Sequence, residues 1–161
     1  MPIMEVLVGT IASGKSTYAQ ARAAQGSIIV NDDAIVNAVH ADQYTLYQES
    51  LKPLYKGVEL FIVNTALAIG KDVLVDKGLS LSRASRQRWI SIGRSLDVPV
   101  KCILFPPSWA EVHARRRVEA DSRGHDYDYW LRVATHHLSV YEPPSTEEGF
   151  DSIETRVWVD R

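Results

Sequence analysis

The chain alternates short apolar runs with longer stretches in which apolar residues recur at three- and four-residue spacing. The short runs predict strands at 4–8, 27–30, 72–76 and 98–105, with a fifth β-like segment at 154–159. The longer stretches predict helices at 18–24, 34–40, 44–69, 83–96, 109–114 and 126–141. The stretch 44–69 is expected to break near Pro53, and its second half is apolar nearly all round, which predicts a helix buried against a sheet. Strand and helix in alternation is the pattern of an α/β fold with a mainly parallel sheet.

Punctuation supports these boundaries. Gly26 and Gly70 fit helix ends, and Pro106-Pro107 and Pro143-Pro144 act as stops. Asp32 or Asp33 could cap the helix at 34, Ser80 or Ser82 the one at 83, and Ser108 the one at 109.

The first strand runs straight into Gly9-Thr10-Ile11-Ala12-Ser13-Gly14-Lys15-Ser16-Thr17, and a helical stretch follows. This is the phosphate-loop pattern G-x-x-x-x-G-K-S/T in the strand–loop–helix context its mechanism needs. Glycines let successive backbone N–H groups point inward at phosphate oxygens, and the helix adds its positive N-terminal end. Lys15 supplies a mobile charge for the outer phosphates, and the Ser16 hydroxyl is the expected Mg²⁺ ligand. A nucleoside triphosphate is expected here.

Composition narrows the setting. The 161 residues suggest a single domain over 1–161, with 45% hydrophobic and 24% charged residues, as in an ordinary globular protein. No apolar run approaches a bilayer span, and the start of the chain leaves no room for a signal peptide, so a cytoplasmic, intracellular protein is expected. The lone Cys102 excludes an internal disulfide and, inside an apolar run, reads as a buried thiol. A net charge of −2 argues against non-specific coating of nucleic acid, but not against a local basic groove.

Phosphoryl transfer needs a donor cradle, a metal, an acceptor base and cations for the developing charge. Asp32 ends the second strand beside the loop and suits the base, while Asp76 ends the third and suits the metal or its water shell. Arg115-Arg116-Arg117, with Arg123-Gly124 beyond, read as a lid over roughly 115–127 that brings guanidinium groups onto the phosphates. Arg83, Arg86 and Arg94 are placed opposite Trp89, Ile92 and Leu96 on their helix. They read either as a solvated face or as a basic strip for substrate phosphates. His136 and His137 are adjacent and make no metal pair, His113 and His125 lack partners at ligand spacing, and Tyr127, Tyr129 and Trp130 read as packing residues before base-stacking ones.

Taken together, these segments resemble the kinase domain of phage-type polynucleotide 5′-hydroxyl kinases over nearly the whole chain. The matching segments are the loop, Asn31-Asp32-Asp33, Val75-Asp76 with Leu79-Ser80 and Arg83, Pro107-Ser108-Trp109-Ala110-Glu111 leading to Arg115, Arg123-Gly124, and Pro143-Pro144 followed by Glu148-Gly149-Phe150-Asp151. The resemblance implies a three-layer phosphate-loop kinase fold with a five-stranded, mainly parallel sheet, helices on both faces and an arginine-bearing lid. It implies transfer of the γ-phosphate of ATP or GTP, with Mg²⁺, to a hydroxyl. Asp32 would be the base, Lys15 and Ser16 would hold donor and metal, Asp76 would be an essential carboxylate, and Arg115 and Arg123 would be lid cations. A nucleic-acid acceptor leads, either a 5′ end or a hydroxymethylated base such as 5-hydroxymethyluracil. A small-molecule kinase of the same fold and a non-catalytic nucleotide switch are the rivals. Two departures fall on the acceptor side. Where those enzymes carry an arginine three residues after the base this chain has Ile35, and where they carry Asp-Thr-Asn it has Asp76-Lys77-Gly78. A phage origin is compatible with the resemblance.

Overall fold

The structure, a computed structural model, describes residues 1–121 and 124–157. Five strands, β1 (Met4–Val8), β2 (Ile28–Asn31), β3 (Val73–Asp76), β4 (Val100–Leu104) and β5 (Ser152–Thr155), form one sheet in the order β2-β3-β1-β4-β5. Every pairing is parallel. Six α-helices lie among them: α1 (Lys15–Ala24), α2 (Asp32–Val39), α3 (Lys52–Ala68), α4 (Arg83–Ser95), α5 (Ala110–Ala120) and α6 (Tyr127–Val140). Thus the expected α/β architecture holds, with the fifth strand at the edge beside β4 and starting two residues before the predicted 154–159, of which 158 and 159 lie outside the described residues.

Both faces of the sheet are covered, which is why its central strands are apolar on both sides. On β1, Met4, Val6 and Val8 join a core with Val63 and Leu67 of α3 and Trp89 and Ile90 of α4. Leu7 points the other way, into a smaller cluster with Ala19 of α1, Leu74, Ile103 and Phe105. Glu5 sits on β1 too and is 3% exposed. Arg22 reaches its carboxylate at 2.8 Å and the Tyr18 hydroxyl donates to it at 3.1 Å, so the buried charge is paired.

Three sequence expectations need correction. Residues 44–69 are not one interrupted helix: single 3-10 turns at Tyr44–Leu46 and Glu49–Leu51 precede α3. Pro53 stands in the first turn of α3, where its missing N–H costs nothing, so it opens the helix instead of breaking it. Nor is α3 buried all round, since Phe61 is 71% exposed. Ser108 does not cap α5. Trp109 takes that position, and the Ser108 N–H goes to His113 instead. By contrast Ser82 caps α4, accepting from the Ser85 N–H at 3.2 Å.

From central β1 the chain passes first to β2 and β3 on one side, then to β4 and β5 on the other. The C-terminal strand ends beside that divide are where open α/β sheets bind their ligands. Among the described residues no helix is long and apolar enough to cross a membrane.

Candidate active site

The loop after β1 lines a cleft of about 1280 Å³ at this divide, together with Asn31, Asp32, Asp33, Asp76, Gly78, Arg116, Arg117 and Arg156. Its backbone is already bent for an anion. Ala12 and Gly14 both take left-handed conformations, with φ of 49° and 97°, and Gly14 is the N-cap of α1. Such turns aim consecutive N–H groups into one concavity. Lys15 is 8% exposed, and its ammonium donates to the carbonyls of Gly9 at 2.9 Å and Thr10 at 2.6 Å. Burial lowers its pKa to about 8, and the nearby Asp76 carboxylate opposes that fall. The Ser13 hydroxyl oxygen is buried and has no hydrogen-bond partner among the described residues, which suits a position meant for a ligand oxygen.

A residue set aside at the sequence level braces this loop. His113 of α5 is 1% exposed. Its Nε2 accepts the Ser108 N–H at 2.9 Å and lies 3.0 Å from the Thr10 hydroxyl. Burial, and then Arg116, lower its pKa, which favours the neutral ring that an accepting Nε2 requires. Its signal in the sequence was weak, because a histidine that braces a loop has no ligand spacing to betray it.

On the acceptor side, neither aspartate caps α2. Asn31 does so, accepting from the Ala34 N–H at 3.0 Å, and its amide donates to Asp76 Oδ2 at 3.2 Å. Asp32 is thereby released from a capping role and turns to the β3–α4 connection. Its Oδ2 accepts the Gly78 N–H at 3.0 Å, and its Oδ1 lies 3.5 Å from the Lys77 ammonium. Gly78 has a φ of +49°, a conformation that strains side-chain-bearing residues and accounts for glycine here. Burial raises the pKa of Asp32, with Lys77 lowering it and Glu59 raising it. Burial also raises that of Asp76, and Lys15 opposes the rise.

The Ser16 hydroxyl and the Asp76 carboxylate line the same cleft, and both offer the oxygen ligands a hard cation takes. Among the described residues no three His, Cys, Asp or Glu side chains converge to hold a metal. A cation here would draw most of its shell from water and phosphate oxygens, which is how Mg²⁺ binds beside nucleotides.

The predicted arginines fare unevenly. Arg115 is exposed and does not line the cleft, whereas Arg116 and Arg117 do. All three lie within α5, where consecutive side chains point about 100° apart, so a triple arginine cannot all face one ligand. The Arg117 guanidinium rests over the Trp130 ring at 4.6 Å. Arg123 lies outside the described residues. Arg156, beyond β5, also lines the cleft, with its guanidinium 5.4 Å from the Tyr18 ring, and was missed by sequence reasoning. On α4, Arg86 belongs neither to a solvated face nor to a basic strip. Arg86 is fully buried on the same face as Trp89 and Ile90, and Glu148 receives it through both carboxylate oxygens at 2.6 and 2.7 Å. The helical spacing of 86, 89, 90 and 93 predicts that face; the guanidinium charge disguised it. Arg83 and Arg94 remain exposed, separated by about 16 Å of helix.

Comparison with known proteins agrees with the fold. The AAA_33 family, described as an AAA domain, matches residues 4–144. The chain belongs to that family. It is 30% identical over 151 residues to the bifunctional polynucleotide phosphatase/kinase of Schizosaccharomyces pombe (strain 972 / ATCC 24843), covering 92% of this chain. The chain spans about a third (32%) of that relative's length. Its fold is similar to a chain of the Pnkp1/Rnl/Hen1 RNA repair complex, with TM-score 0.68 and 21% identity over 93% of this chain and 46% of that one. It is also similar to a gluconokinase from Sinorhizobium meliloti 1021, with TM-score 0.59 and 20% identity over 99% and 85%. This AAA_33 chain therefore has the nucleotide-binding phosphate-loop fold of the kinase type, and its relatives differ in acceptor.

Proposed function

We propose that this chain transfers the γ-phosphate of ATP or GTP to a hydroxyl group of a nucleic acid, in the manner of a polynucleotide 5′-hydroxyl kinase. The observation that carries the reading is the position of Asp32. It lines the cleft of the phosphate loop, is relieved of capping by Asn31, and is held through both oxygens by Lys77 and Gly78. A protein that only senses nucleotide needs no such carboxylate.

In the step itself, the acceptor oxygen bonds to the γ-phosphorus as the bond to the β–γ bridging oxygen breaks. The nucleoside diphosphate leaves with that electron pair, and Asp32 takes the hydroxyl proton. Lys15 and the loop N–H groups would hold the donor phosphates, and Arg116 and Arg117, which line the same cleft, would supply cations for the developing charge. Ser16 and Asp76 would hold Mg²⁺, which, when bound, neutralises phosphate charge.

A small-molecule acceptor is the second reading. Arg86, 0% exposed, cannot meet a strand, and the buried Ile35 stands where the polynucleotide enzymes carry an arginine. A screen with radiolabelled γ-phosphate decides, using 5′-hydroxyl DNA and RNA oligonucleotides, hydroxymethyluracil-containing DNA, and a panel of nucleosides and sugars. Label on the oligonucleotides alone supports the first reading. Label on the small molecules alone overturns it. Asp32→Asn should cut transfer by about 10³-fold while leaving nucleotide affinity nearly intact.

A further inference from the structure

A chain of four charged side chains runs from the candidate base away from the cleft. Glu59 of α3 is 2% exposed, a cost that a carboxylate bears only with partners. Two cations pair with it, the Lys77 ammonium and the Arg88 guanidinium, the latter at 3.1 Å, and it also lies close enough to Asp32 to raise that group's pKa. Arg88 is fixed in turn over the Trp89 ring at 4.8 Å. Lys77 then reaches on to Asp32 Oδ1 at 3.5 Å. Four charges alternate in sign, so Asp32 is balanced by a lysine that cannot swing away without stranding a buried carboxylate.

We propose that Lys77, anchored by Glu59, is the positioning residue for the acceptor base. It pins one oxygen of Asp32 while the Gly78 N–H pins the other, and so fixes which lone pair faces the acceptor hydroxyl. This assigns a role to Lys77-Gly78, the two residues at which the chain departs from the Asp-Thr-Asn pattern. The lysine is not among the residues lining the cleft, which separates it from a substrate ligand. Holding a reacting group within a fraction of an ångström is worth large factors in rate, and it acts on turnover and leaves donor binding alone.

The inference rests on Asp32 being the acceptor base. Its test is a double-mutant cycle of Lys77→Met and Asp32→Asn, read in two ways. In transfer to a 5′-hydroxyl DNA oligonucleotide, Lys77→Met should lower kcat about tenfold or more, with unchanged affinity for a fluorescent ADP analogue. Lys77→Arg should restore most of kcat, and Lys77→Met should cost nothing further in the residual rate of Asp32→Asn. Glu59→Gln, which keeps the lysine but frees it, should lower kcat in the same direction and serves if Lys77→Met folds poorly. Unchanged kcat in Lys77→Met or Glu59→Gln, or the same loss of rate with and without Asp32, overturns the proposal. In urea unfolding the two substitutions should be non-additive by about threefold or more in equilibrium constant. A wild type that labels no oligonucleotide refutes the proposed acceptor only. The unfolding cycle then still reads the Lys77–Asp32 link, and additivity there overturns it.

Discussion

The two walls of the cleft are built on different principles. The donor wall is backbone: left-handed turns at Ala12 and Gly14, a helix N-terminus, and a lysine already folded against the carbonyls of Gly9 and Thr10. The proposed acceptor wall is side chain: Asp32 lines the cleft, and Lys77, Glu59 and Arg88 stand behind it, the four drawn from three helices and a loop and held by alternating charge. A backbone cradle suits a ligand whose phosphates are the same in every relative. A side-chain relay can be rewritten residue by residue without disturbing the cradle.

The largest expected effects test that division directly. Lys15→Met and Asp32→Asn should each reduce transfer by about 10³-fold, yet only the first should weaken nucleotide binding. Titration with a fluorescent ADP analogue separates them. Equal affinity losses in both variants would mean that the two walls form one site and the comparison fails.

Next in size is the arginine that the sequence pattern misplaced. Arg86 donates to the carbonyls of Ser80, Leu81 and Glu142 as well as to Glu148, so it ties the β3–α4 connection to the closing segment of the chain. That connection in turn accepts the Gly9 N–H through Leu79 O at 3.3 Å. Arg86→Met leaves Glu148 buried and unpaired, and should destabilise the fold by about 3–5 kcal/mol in urea unfolding. Arg83→Ala and Arg94→Ala, on exposed positions, should each change stability by less than about 0.5 kcal/mol. If the small change belongs to Arg86, the helix presents a basic face after all.

These contrasts show what could be read in advance. Strand order aside, the sheet was legible because β-runs buried on both faces leave a continuous apolar signal, as in Val73-Leu74-Val75. The phosphate loop was legible because its chemistry requires glycine and lysine at fixed spacing. Asp32 and Asp76 were legible as strand-end carboxylates. Glu59 was hidden, since a glutamate on a long helix reads as surface until its two cations, 18 and 29 residues away, are brought beside it. Arg86 was hidden for the same reason, its partner lying 62 residues on. Pairing of distant charges leaves no local pattern, and it is in such pairs that the acceptor wall consists.

The smallest expected effect concerns acid, and it sets buried histidine against buried carboxylate. His137 of α6 has a buried Nδ1 without a hydrogen-bond partner, and burial, followed by the charge of Lys15, lowers its pKa to about 4. The unfolded chain protonates this histidine near 6.5, well before the folded one does. Its contribution to stability is therefore complete above about pH 6.5 and is lost as pH falls toward 4. Asp32 has the opposite sign. Its raised pKa means that the folded protein binds a proton more readily than the unfolded chain, which adds stability as pH falls toward the ordinary carboxylate range. Between pH 7 and 5 the histidine should dominate. Urea unfolding should show the wild type losing stability, and His137→Gln removing about 1 kcal/mol of that loss once partial exposure is allowed for. Asp32→Asn should steepen the loss slightly, because the opposing contribution is gone. An identical pH slope in His137→Gln and wild type would show that this histidine is protonated alike in the folded and unfolded chain, and that α6 is not the acid-sensitive part of the fold.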